Sequence, residues 1–244
     1  MAWSEEALSR LTVRGGMRLR GEAMTRMEVF SDAAFAFSLT MLVVSVGSIP
    51  QNFAELVLAL KSIPAFAMSF AQLSAFWLAH RIWSNRYGLE DKTSTFLTLL
   101  MIFTVLVYVY PLRLVYSSFG AFVSAGWLPS DFVINSPEEL GGLFIVYGSG
   151  YAALATVVAL LYAHAVRRRE YLGLDTAELI RTRHGIAIWG AQALFGVMSA
   201  LSALLLPGPY KAFAGFAYFG LAVVMPWVSI VYNRRFQRAL ADQT

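Results

Sequence analysis

The chain has no cysteine, which excludes disulfides and thiolate metal sites. Charge is scarce as well. Asp, Glu, Lys and Arg make up 14% of the 244 residues, and only three residues are histidine. With 58% hydrophobic residues and a mean hydropathy of +0.59, that scarcity excludes a soluble enzyme, a nucleic-acid reader and a disordered tail. There is no HExxH run, no pair of carboxylates within a hydrophobic stretch and no Ser/His/Asp set sharing one, so no catalytic set is visible. A proton- or sodium-coupled pump needs carboxylates at mid-membrane, and Asp32 is the one acid near that depth. No inverted repeat suggests a rocking transporter. No Arg-rich span suggests a voltage sensor, and no TVGYG filter loop is present.

What is present is hydrophobic length. A helix crossing lipid needs about 20 mainly apolar residues. Six stretches qualify: 30–49, 62–82, 95–117, 141–166, 186–206 and 210–232. The first is the least uniform, because Ser31, Asp32, Ser38 and Thr40 interrupt it. Pro64 and Pro207 mark span ends, whereas Pro111 and Pro226 fall inside spans and predict local kinks. A signal peptide is the competing reading of the first stretch. Asp32 at its start and five later spans speak against it.

The basic residues fix the orientation. Sixteen of the nineteen Lys and Arg fall in the N-terminal segment, the second–third and fourth–fifth connections and the C-terminus. Lys61 and Lys211 fall on the other side, and Arg113 lies within a span. By the positive-inside rule this gives six spans with both termini cytoplasmic. The expected division is a basic N-terminal arm over 1–28, a six-span membrane domain over 29–233 and a cytoplasmic tail over 234–244. The arm reads either as a mobile segment or as an interfacial helix, with Gly15-Gly16 opposing a continuous helix. Multi-pass insertion in the plasma membrane follows, with the bilayer as partner and neither nucleic acid nor an obligate soluble protein implied.

Smaller features have structural readings. His164 and His184 sit at span ends beside arginines and read as interfacial rather than as metal ligands. Arg113 reads as a snorkelling side chain, or else as a partner of Asp131 or Glu138. Tyr147, Gly148, Gly150 and Ala152 form a small-residue face for helix packing. The Arg167–Arg168–Arg169 triplet reads as a topology determinant and anionic-lipid contact. Trp127, Trp189 and Trp227 read as interface anchors or packing residues.

The first span carries the functional signal. Wound at 100° per residue, positions 30, 37, 41, 44 and 48 fall within about 40° of one another, with Thr40 at the edge. This is an apolar stripe with small polar flanks that include Ser45 and Ser48. Such a stripe is usually lipid-facing or packed. Asp32 points away from it, and a carboxylate at a span boundary needs a partner. Arg26, His80 and the indole of Trp77 are the candidates.

The run Arg26-Met27-Glu28-Val29-Phe30-Ser31-Asp32, followed by Ala33-Ala34-Phe35-Ala36-Phe37-Ser38-Leu39-Thr40, resembles the signature of bacterial and archaeal relatives of lysosomal transmembrane protein 175, a potassium channel. Phe76-Trp77-Leu78-Ala79-His80-Arg81 resembles that family's second-span Trp–His stretch. The motif match covers roughly 26–115, and the later spans fit by count and hydropathy.

The resemblance implies an all-α integral membrane protein of six transmembrane helices per subunit. It implies a homotetramer in which span one lines a central pore without a re-entrant filter loop. Phe37 takes the position of the family's constricting aliphatic residue, followed by pore layers at Met41 and Val44, and Thr40 takes the selectivity position. Arg26, Ser31, Asp32, Trp77 and His80 are implied as the network holding helices and subunits together.

The family pattern is altered in two places. Phe37 replaces Ile or Leu, so four rings at the axis either seal the pore or stack aside. Arg81 follows His80 where the family has another histidine. The implied function is a channel of weak to moderate potassium selectivity with a hydrophobic gate, potassium as permeant ion, and no cofactor or bound metal. A coupled transporter and a non-conducting scaffold are the alternatives.

Overall fold

A computed structural model describes residues 3–44 and 49–241, with the Val44 side chain also outside the description. The short helix α1 (Glu5–Ser9) is followed by the paired two-residue strands β1 (Val13–Arg14) and β2 (Met17–Arg18). The helices α2 (Arg26–Val44), α3 (Phe53–Lys61), α4 (Ile63–Tyr87), α5 (Lys92–Val123) and α6 (Pro137–Arg167) come next. The one-turn α7 (Arg169–Leu172) leads to α8 (Thr176–Leu205). The chain ends in α9 (Phe213–Phe216) and α10 (Leu221–Ala241), each preceded by a 3-10 turn.

Side-chain caps start most of the long helices. Asn52, Asp91, Ser136 and Asp175 each accept a hydrogen bond from the backbone N–H three residues on. Each thereby satisfies one of the four unpaired amides at a helix start. Gly88 stops α4 in the left-handed region at φ 54°, which a residue without a Cβ adopts readily. The helix α5 runs on through Pro111, and α10 through Pro226.

Five helical segments among the described residues are long and apolar enough to cross a membrane: 53–87, 92–123, 137–167, 176–205 and 208–241. Span two differs from the expectation for 62–82. It is preceded in the same segment by α3, read from sequence as a connection, and the helix breaks at Ser62 just before Pro64. Span six is not one uniform helix from 210. Its first 13 residues, 208–220, alternate 3-10 and α turns. Gly215 and Gly220 there lie directly under the rings of Phe144 and Phe195, a close approach that a side chain would block.

The core joins faces of α2, α4, α5 and α6, including Phe35, Leu73, Trp83, Met101, Tyr108 and Leu161. The tightest helix pair is α6 against α8. A Cβ on Gly148 would sit 2.8 Å from the Gly196 carbonyl oxygen, and one on Gly196 would sit 2.9 Å from that of Gly148. The small-residue face on span four therefore does the packing its composition suggests, although Gly150 faces Tyr108 of α5 instead.

The N-terminal arm is folded onto this bundle, which corrects its reading as a mobile segment or an interfacial helix. Gly15 and Gly16 have φ of 60° and 72° and make the hairpin turn. Met17 is 1% exposed within the core. Arg20 donates to both carboxylate oxygens of Glu178 at 3.0 and 2.8 Å and to the Leu172 carbonyl at 2.8 Å. Gly21 N–H donates to the Asn85 carbonyl.

Candidate pore-lining helix and its supporting network

The helix α2 divides into two faces. Ser31, Phe35, Ser38 and Leu42 recur at helical spacing and are 0–2% exposed, packed on the bundle. The opposite face carries Ala33, Phe37 and Thr40, flanked by Phe30 and Val43, all exposed. Phe37 is 58% exposed. Met41 lies at the edge of this stripe, half-buried against the core. The bare face is therefore centred on Ala33, Phe37 and Thr40, with Thr40 nearer its middle than the helical wheel placed it. Val44 ends α2, with its side chain outside the described residues, as are Ser45 and Ser48.

Two side chains turn back onto the helix. Ser38 Oγ donates to the Ala34 carbonyl, and Thr40 Oγ1 donates to the Ala36 carbonyl, both at 2.9 Å. The Thr40 proton is thereby committed to the backbone. Its exposed oxygen keeps lone pairs able to face a cation.

A hydrogen-bond network starts the helix. Thr25 and Glu28 form a reciprocal cap: Glu28 N–H donates to Thr25 Oγ1 at 3.2 Å, and Thr25 N–H donates to Glu28 Oε2 at 2.8 Å. The other Glu28 oxygen accepts from Ser84 of α4. Thr-x-x-Glu is a legible capping box, and Glu28 is the site residue that motif reading passed over.

Asp32 finds its partner among the three candidates. Trp77 Nε1 donates to Asp32 Oδ1 at 2.7 Å. The Arg81 guanidinium lies over the Trp77 ring, 5.4 Å from its centroid. The residue that departs from the family pattern thus braces the indole by a cation–π contact. Ser31 and His80 meet at 3.3 Å through Nδ1, and His80 Nε2 meets Thr98 of α5 at 3.0 Å. These contacts link α2, α4 and α5 through buried polar groups. Arg26 is exposed and forms no ion pair among the described residues. It lines a cavity of about 290 Å³ with Glu28, His80, Trp83, Ser84 and Thr98.

The other end of α2 is held by Arg113, which sits at 4% exposure instead of snorkelling. Its Nε donates to Asp131 at 2.7 Å, and its Nη1 donates to the Leu42 carbonyl at 2.7 Å. A guanidinium near the C-terminal end of a helix adds a donor to one of its last carbonyls and complements the helix dipole. Deeper in the bundle, Gln72 joins three tyrosines: it donates to Tyr108 and accepts from Tyr116 and Tyr147. Sequence reading singled out neither Gln72 nor Thr98, because their partners lie on other helices.

This is a helical, multi-span membrane protein whose polar residues fix helices instead of forming a reaction centre. The family model described as endosomal/lysosomal potassium channel TMEM175 matches residues 26–111. A protein of Marivirga tractuosa named "Potassium channel" is 30% identical over 231 residues, 91% of this chain and 93% of that one.

The crystal structure of a threonine-to-alanine variant of the potassium channel MtTMEM175, in complex with a nanobody–MBP fusion, superposes with a TM-score of 0.77 at 29% identity. It covers 93% of this chain and all of that one. The structure of a lysosomal potassium-selective channel TMEM175 homologue from Chamaesiphon minutus shares the fold. Its TM-score is 0.56 at 18% identity, over 85% of this chain and 97% of that one. The chain belongs to the TMEM175 family, a family of potassium channels and not of enzymes, with potassium as permeant ion.

Proposed function

We propose that the protein is a cation channel of weak to moderate potassium selectivity. It assembles as a homotetramer with four copies of α2 around a central pore. In this reading α2 is the first of six spans, the arm (1–28) and tail (234–244) are cytoplasmic, and 29–233 is the plasma-membrane domain. One observation carries it. A single subunit leaves the Ala33–Phe37–Thr40 face of α2 bare while every neighbouring helix packs on the opposite face. A second, third and fourth copy of that face enclose a pore, whereas lipid alone leaves Thr40 facing hydrocarbon.

Phe37, Met41 and Val44 form the constriction. A narrow apolar ring expels water, and an ion then meets a desolvation barrier until the ring widens. Thr40 supplies oxygen lone pairs beside that ring, so selectivity comes from width and hydroxyls. Potassium, which sheds its hydration more easily than sodium, passes preferentially. Arg26, Ser31, Asp32, Trp77 and His80 hold the α2 bases in register, with the exposed Arg26 reaching the neighbouring subunit.

The test is potassium against sodium flux in liposomes, wild type beside Phe37→Ala. Potassium ahead of sodium, with larger flux in Phe37→Ala, is the expected result. Absence of flux from both, with the oligomer intact, overturns the reading.

A further inference from the structure

Where α4 ends, α8 begins and α10 nears its last turns, cationic and aromatic side chains gather. Arg86 is half-buried in the last turn of α4. Arg181 and His184 come from the start of α8, and Tyr232, Arg235 and Phe236 from α10. Arg181 lies over the Phe236 ring at 5.1 Å. His184 stacks on Tyr232 at 5.3 Å, and Arg235 lies over the same ring at 5.7 Å. A guanidinium that contacts a ring through its carbon keeps N–H groups available to an oxyanion.

Nothing among the described residues neutralises these groups. Arg86 and Arg181 are brought near one another by their chain neighbours, Tyr87 of α4 donating to Thr182 of α8 at 2.8 Å. Neither Arg86 nor Arg181 forms an ion pair or a hydrogen bond among the described residues. Glu178, one turn before Arg181, is taken up by Arg18 and Arg20. The His184 Nε2 is buried and has no hydrogen-bond partner. Two half-buried guanidiniums drawn together from separate helices repel one another, and an anion between them reverses the sign of that interaction.

We propose that Arg86, Arg181, His184 and Arg235 form a binding site for a phosphate group. The site stands independently of the pore. Hydropathy ends span two at 82, starts span five at 186 and ends span six at 232. All four residues thus lie within five positions of a span end, at the depth of lipid headgroups, where a phosphodiester is the abundant anion. Bidentate Arg–phosphate contacts supply both strength and geometry.

The experiment is calorimetric titration of the full chain in detergent. One arm uses dihexanoyl phosphatidylglycerol, with dihexanoyl phosphatidylcholine as the neutral-headgroup control. The other arm uses inorganic phosphate. Binding of phosphatidylglycerol in preference to phosphatidylcholine, weakened at least tenfold in Arg86→Gln/Arg181→Gln and unchanged in Lys61→Gln, which lies over Trp127 away from this cluster, is the expected result. If inorganic phosphate also binds, the phosphate group alone suffices. If only phosphatidylglycerol binds, the source is a lipid headgroup. Should the double variant fail to fold, Arg235→Gln at its exposed position is expected to weaken binding several-fold. No binding in either arm, or undiminished binding in a folded variant, overturns the proposal.

Discussion

Arg113 and Leu42 are 71 positions apart in sequence, yet the guanidinium Nη1 donates to the Leu42 carbonyl at 2.7 Å while Nε holds Asp131. One side chain thus ties the end of α2 to α5 and to the loop before α6. Replacing it with methionine roughly keeps the volume but removes the guanidinium that donates to both the Asp131 carboxylate and the Leu42 carbonyl. Losing two hydrogen bonds from a charged donor at a half-buried site costs about 3 kcal/mol. We expect Arg113→Met to lower the unfolding midpoint in detergent clearly, with Asp131→Asn milder. Unchanged midpoints in both would show that the contact contributes nothing.

The Trp77–Asp32 hydrogen bond predicts a smaller effect. Trp77→Phe keeps the ring under Arg81 and removes only the donor. A hydrogen bond to a charged group contributes about 1.5–3 kcal/mol, and the loss is expected to appear in the fraction of intact oligomer on size exclusion. Asp32→Asn retains an acceptor and is expected to be closer to wild type. The reverse order would place the role of Asp32 in its charge.

Thr40→Val is nearly isosteric and removes the oxygen that faces outward. Potassium and sodium permeabilities are expected to converge in bi-ionic reversal potentials, with total conductance little changed. An unaltered reversal potential would take Thr40 out of selectivity.

Asp91 caps α5, and the pH dependence of stability follows from it. Burial pushes its carboxyl pKa up, but the Ser94 N–H, His164, Arg168 and the Ser94 hydroxyl outweigh that and hold it well below the ordinary carboxylate range. His164 and Arg168 approach Asp91 Oδ2 at 2.8 Å each. A depressed folded pKa means stability that is fully present above the unfolded value of about 4 and lost as pH falls below it. Unfolding midpoints between pH 7 and pH 3 are expected to drop less steeply for Asp91→Asn than for wild type. Parallel curves would assign the acid limb to other carboxylates.

Hydropathy places span four within four residues of its helix at both ends and finds spans three and five, whose helices run six residues beyond the predicted end and start ten residues before the predicted start, because a run of some 20 apolar residues has few other fates. What stayed hidden involved distance. Arg113 near a span end reads as snorkelling first, with Asp131 only as an alternative partner, and the folded chain selects Asp131 and adds the Leu42 carbonyl. The arm was misread for a different reason. Gly15-Gly16 reads as a helix breaker but is equally a hairpin turn, and nothing in the local sequence marks Met17 and Arg20 as buried. At the site, the Asp32–Trp77 pair came from a short list of candidates. The Thr25–Glu28 box was legible and passed over. The face of α2 emerged with its centre displaced, since a wheel of ideal pitch does not show which residues the neighbouring helices claim.

The two ends of α2 are anchored by different chemistry: Glu28 to Ser84 at one, the Leu42 carbonyl to Arg113 at the other. Six residues before the start of α2, the chain is clamped again by Arg20 on Glu178. A rod fastened at both extremities does not slide like a piston. Its low-cost motions are bowing and twisting about its own axis, largest halfway along, where Phe35 to Thr40 lie. Twist there would swing Phe37 sideways while leaving both anchors closed, so activity could change without a single end contact being broken.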